Sequence, residues 1–238
     1  MKKTKEKQIT SYSRLVGICE TFGARYNPGK EAIKPAALSS LLDQAQQSVE
    51  AVTVAQQAYT SAVSFRNEGY AGISKLATRI FHAMASWDAS EKTLEDAMRI
   101  RRCLAYHPSE NAENAKAEDG AQKERKGNPA VHLNFEALAS NFKKFVECVK
   151  TVPEYAPNEE DLTIEGLEAF HGRLMLLTGE VMRKEALLTQ ARFKRNELLF
   201  GPKGIYGIAK TVKHYMRTAF RKNSDEFRAV SRIRFSKK

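Results

Sequence analysis

Two segments of the chain repeat one another closely enough that any fold must accommodate the same helical unit twice. Tyr26-Asn27-Pro28 and Tyr155-Ala156-Pro157 open stretches that stay in step for about forty residues. Cys19 falls opposite Cys148 upstream. Downstream, Leu38, Leu41, Ala45, Val52, Tyr59 and Ala62 fall opposite Leu167, Phe170, Leu174, Val181, Leu188 and Ala191. Those spacings of about three, four and seven mark one face of a long helix. Both copies then read Arg-Asn-Glu, at Arg66-Asn67-Glu68 and Arg195-Asn196-Glu197. After a short insertion in the second copy, Ile73, Ile80, His82 and Met84 pair with Ile205, Val212, His214 and Met216.

Each copy therefore reads as a helical bundle built around one long helix. A first helix is predicted over about residues 9–24 and 132–152, closed by the Tyr-x-Pro turn, where proline lacks the N–H that a helix needs. The long helix is predicted over 35–68 and 163–199. Pro35 is tolerated in its first turn and Thr163 is suited to cap its counterpart. Gly69 and Gly72, and Gly201, Pro202 and Gly204, punctuate the chain before a third helix over 73–86 and 205–220. A short fourth helix starts at the N-caps Ser90 and Ser224 and ends near Leu104 and Ile233. No long stretch alternates with period two, so the expected class is all-α: two tandem, diverged helical-bundle repeats over 1–106 and 132–238. Between them, residues 107–131 are rich in Glu, Lys, Asn, Ala and Gly and offer little to bury, which predicts a flexible polar linker.

The pattern Tyr155-x-Pro157-Asn158-Glu159, a long helix ending Ala191-Arg192-x-x-Arg195-Asn196, and the stretch from Gly204 through Lys213 and Tyr215 together resemble a family of uncharacterised bacterial helical proteins. Members look duplicated in the same way and close on a Ser-x-x-aromatic-basic segment, here Ser224 to Phe235. The resemblance implies the fold and carries no activity with it.

Charge narrows the functional classes. The formal net charge is +11, with +3 on residues 1–8 and +8 on residues 210–238, so residues 9–209 are neutral overall. A nucleic-acid channel running through the whole fold is not indicated. The basic C-terminal stretch is the functional lead: Lys210, Lys213, Arg217, Arg221 and Lys222 recur at helical spacings beside Tyr215 and Phe220, and Arg228, Arg232 and Arg234 follow. Such a surface can hold phosphate backbones by counterion release, and it also suits an acidic protein or anionic lipid heads. The bland alternative is a solvated helix face. Against it, residues 73–104 of the first copy hold only six Lys/Arg against four acids.

Other chemistry has less to stand on. His82 with His214 and Cys19 with Cys148 occupy matched places, but zinc sites usually bring local CxxC or HxxxH pairs, and none is present. Three cysteines without such spacing do not suggest a disulfide framework. No GxSxG, HExxH, GxGxxG or GxxxxGK[ST] motif occurs, so no catalytic residue, cofactor or metal is expected. The shared Arg66, Asn67, Glu68 and Arg195, Asn196, Glu197 read as a structural cluster at the end of the long helix, where orphan carbonyls need partners. The basic start has no apolar core or cleavage site of a secretory signal, and no apolar run reaches bilayer length, so a cytoplasmic protein is expected. The expected role is a non-enzymatic helical interaction or scaffold protein with a protein partner. The alternative is a nucleic-acid-associated protein that docks through residues 210–238.

Overall fold

The computed structural model describes residues 2–105, 129–221 and 224–236. They are all-helical, with no strand among the described residues: α1 (Lys2–Thr21), α2 (Pro35–Ala71), α3 (Ile73–Ser86), α4 (Glu91–Cys103), α5 (Pro129–Val149), α6 (Ile164–Phe200), α7 (Ile205–Ala219) and α8 (Asp225–Ser231). The linker expected over 107–131 lies outside the described residues up to residue 128. Its last three residues instead form the first turn of α5, where Pro129 fits because the first helical N–H has no partner to lose.

Local chemistry sets the ends of these helices. Ser90 and Ser224 cap α4 and α8, their hydroxyls accepting from the N–H groups of Thr93 and Phe227 at 3.2 Å in both cases. The Thr163 hydroxyl accepts from the Gly166 N–H at 3.0 Å at the start of α6. Each long helix has 37 residues and follows a single 3-10 turn, at Glu31–Ile33 and Glu160–Leu162. Both 3-10 turns are held the same way. The Tyr26 hydroxyl donates to the Ile33 carbonyl at 2.7 Å, and the Tyr155 hydroxyl donates to the Leu162 carbonyl at 3.1 Å. Gly69 does not end α2 as its composition suggests, because the helix runs on to Ala71. A Cβ at Gly69 would come within 2.4 Å of Leu177 Cδ1, so glycine serves close approach there rather than a turn.

The chain folds into two compact units, and neither is a contiguous half of the sequence. The first unit is Met1–Gln57 with Ala186–Lys238; the second is Ala58–Glu185. Domains over 1–106 and 132–238 are therefore not the units that pack. Each long helix contributes residues to both units, α2 dividing after Gln57 and α6 after Glu185, so neither unit follows a contiguous stretch of the sequence.

In the first unit, α1 and the start of α2 pack with the end of α6, α7 and α8. Tyr12, Leu15, Cys19 and Leu38 meet Leu199, Ile205, Val212, Met216 and Val230 in one buried cluster. Gln56 and Arg192 tie the two long-helix segments of this unit at 2.8 Å. In the second unit, the end of α2, α3, α4, α5 and the start of α6 enclose Tyr70, Ile80, Met84, Phe142, Phe145 and Leu174. The Tyr70 hydroxyl is buried there, bonding to Thr178 Oγ1 at 2.9 Å and to the Leu174 carbonyl.

Candidate nucleic-acid interface

The division into units redistributes the charge. The first unit carries 22 Lys/Arg against 8 Asp/Glu, a net +14, while the second carries 17 against 20, a net −3. Both basic ends of the chain belong to the first unit. In the sequence they stand at opposite extremes.

The cations of the C-terminal stretch separate into two groups. Lys213 is half-buried, and its ammonium donates to the carbonyls of Ile233 and Ser231 while lying 5.6 Å from the Phe235 ring centre. Burial lowers its pKa. It closes the C-terminal end of α8 and is consumed by the fold. Arg217 reaches the Phe227 ring at 5.9 Å, and Arg228 stands 4.0 Å from Asp225. Lys210, Arg221, Arg232 and Arg234 are exposed, with no side-chain hydrogen bond or ion pair among the described residues. Lys222 lies outside the described residues. Sequence spacing alone cannot tell these groups apart, because the difference depends on where α8 ends.

Residues 233–236 follow α8 as a segment without regular secondary structure. Ile233 is 5% exposed, while Arg232 and Arg234 face solvent. Gln8 of α1 holds the far end of the segment. Its amide nitrogen donates to the Ser236 carbonyl at 2.9 Å, and its amide oxygen accepts from the Ser236 N–H at 3.1 Å. Gln8 is 1% exposed, a buried polar residue fully used in this pairing, and nothing in its sequence context marks it. Nearby, Arg25 pairs with Glu226 at 2.6 Å and lies over Phe220. The Glu226 carboxyl is held below the usual range by its own backbone N–H, with help from Ser224 and Arg25.

The remaining sequence candidates divide between buried and exposed positions. Arg66 is 2% exposed, and its guanidinium stacks 3.9 Å from the Phe135 ring centre. Arg195 is also buried and donates to the Asn196 side-chain oxygen at 3.0 Å. Asn67 is half-buried, and Glu68 and Glu197 are exposed. His82 and His214 lie on exposed helix faces. Cys19 is buried, and burial pushes its thiol up to about 11. Among the described residues no three His, Cys, Asp or Glu side chains come together as a metal would require. A groove of about 450 Å³ in the second unit is lined by Phe65, Gly69, Phe170 and Leu177, with Glu68 and Arg173 also on its wall. No described helix is long and apolar enough to cross a membrane.

No family model, no curated protein and no solved structure matches the chain.

Proposed function

We propose that the protein is a non-enzymatic interaction protein that binds the phosphate backbone of nucleic acid through its first unit. The observation that carries this reading is the charge partition: +14 on one unit against −3 on the other, with four exposed C-terminal cations uncommitted to the fold. A phosphate backbone meets such a surface by releasing condensed counterions, which makes affinity salt-dependent and largely independent of sequence. A neutral protein partner offers no reason for the charge to gather on one unit.

Lys210, Arg221, Arg232 and Arg234 together set the expected salt dependence. Four phosphate contacts on duplex DNA correspond to a log–log slope of about −3.6, a loss of affinity on the order of 100-fold between 50 and 200 mM salt. Anisotropy of a labelled duplex over that range tests this, beside a variant with all four changed to Gln. Steep binding in the wild type that flattens in the variant supports the reading. Absence of binding at 50 mM, or binding indifferent to salt, overturns it.

The architecture belongs to the same proposal: we read the chain as one helical unit duplicated and then diverged. Equal long helices, the matched Tyr-to-carbonyl bonds across seven residues and the matched Ser caps support that history. The excess of positive charge is then a change acquired by the second copy's third and fourth helices.

A further inference from the structure

We infer that the nucleic-acid surface is composite: the N-terminal helix α1 forms part of it, and Gln8 is a positioning residue that sets the C-terminal arginines against α1. This deepens the proposed function and rests on it.

Arg232 and Arg234 are held by contacts that charge alone does not supply. Lys213 fixes the Ser231 and Ile233 carbonyls at one end of the segment, and the two Gln8 bonds fix Ser236 at the other. Ile233 is buried between these anchors, so the intervening backbone keeps Arg232 and Arg234 at the surface. Lys7, beside Gln8 on α1, is exposed and carries no side-chain hydrogen bond or ion pair among the described residues. The clamp therefore ties the segment that carries Arg232 and Arg234 to α1, the helix that carries Lys7, more than two hundred residues away in the chain. A buried glutamine spending both its donor and its acceptor on one residue's backbone orders the segment before any ligand arrives. Order gained in advance is entropy that binding need not lose.

The ligand fitted to this surface is a polyanion with regularly spaced phosphates. A polyanion can engage Lys7, Arg232 and Arg234 through different phosphates at once, whereas an isolated phosphate gains from all three only where they converge on it.

The test uses the full chain and a labelled 30-base-pair duplex, read as affinity and salt slope. Lys7→Gln is expected to shallow the slope by about 0.9, and Arg232→Gln with Arg234→Gln by about 1.8. Gln8→Ala removes no charge, yet it should weaken binding severalfold and move the slope toward that of the double arginine variant. A purely structural role for Gln8 would lower the melting temperature and leave the slope where it was. In the wild type, saturating duplex should slow hydrogen exchange at the Ser236 N–H, a readout that survives even if Gln8→Ala fails to fold. If the wild type binds and the arginine variant weakens, but Lys7→Gln and Gln8→Ala match the wild type, the composite site is wrong. Unchanged exchange at Ser236 on binding overturns it equally. Failure of the wild type to bind at all would instead strike the proposed function.

Discussion

Tyr155→Phe removes one oxygen and leaves the ring, so its effect isolates the bond to the Leu162 carbonyl. That bond is 3.1 Å long, between residues 8% and 6% exposed, and water has little room to replace the lost donor. A neutral hydrogen bond contributes about 1 kcal/mol net, and leaving a buried acceptor unmet raises the cost to roughly 1–2 kcal/mol. With a urea m-value of about 2 kcal/mol/M, the midpoint should fall by about 0.5–1 M with the slope unchanged. Trp87, the single tryptophan, lies 6.3 Å from the Tyr155 ring, so its fluorescence reports on the second unit. Tyr26→Phe asks the same of the first unit, where the bond is shorter at 2.7 Å and the ring is 3% exposed. Its cost, followed by far-UV circular dichroism, should equal or exceed that of Tyr155→Phe. A midpoint shift below about 0.2 M for both would refute the reasoning, because it would mean these hydroxyls do not hold the 3-10 turns on which α2 and α6 begin.

The glycines separate by surroundings. Gly207→Ala would place a Cβ 1.9 Å from the Pro202 carbonyl oxygen, so backbone must move and thermal unfolding should show a loss of roughly 1–3 kcal/mol. Gly172→Ala, with nothing within 4 Å on the surface of α6, should stabilise by about 0.5–1 kcal/mol in the same assay. For the thiols, burial raises Cys19 to about 11, two units above its ordinary value, which cuts its thiolate about 100-fold near pH 8. Ellman titration of the folded protein should show Cys103, which is exposed, reacting first, and Cys19 reacting only on unfolding. Glu168, Glu180 and Glu226 have folded pKa values below the usual carboxylate range, Glu168 through Lys150 and Glu180 through Arg183 and Lys184. The unfolded chain then takes up these protons first, so their stabilisation is present above about pH 4.5 and lost as pH falls through the folded values. Urea midpoints should decline between pH 5 and 3, and a flat profile would count against these pairs.

What could be read in advance follows from the range of the interaction concerned. Ser90, Thr163 and Ser224 act on N–H groups three residues away, and the sequence displays both partners side by side. The periodic faces of α3 and α7 were equally plain, since Ile73, Ala77, Ile80 and Met84, or Ile205, Val212 and Met216, must turn to a core. Periodicity says that a face is buried and is silent on what buries it. Met216 of α7 shares one buried cluster with Tyr12 and Leu15 of α1, a partnership that no local pattern encodes. The same blindness affects charge. Counted along the chain, the excess sits at two ends that seem unrelated; counted by unit, it becomes a single +14 body. Lys213 looks like its basic neighbours until the end of α8 claims it, and Gln8 looks like solvent-facing helix until Ser236 arrives from 228 residues away. Polar residues with such distant duties follow no period, so a structure finds them and a composition does not. For this chain they matter most, because a binding surface made of mobile cations and one made of fixed cations have the same sequence signature and different affinities.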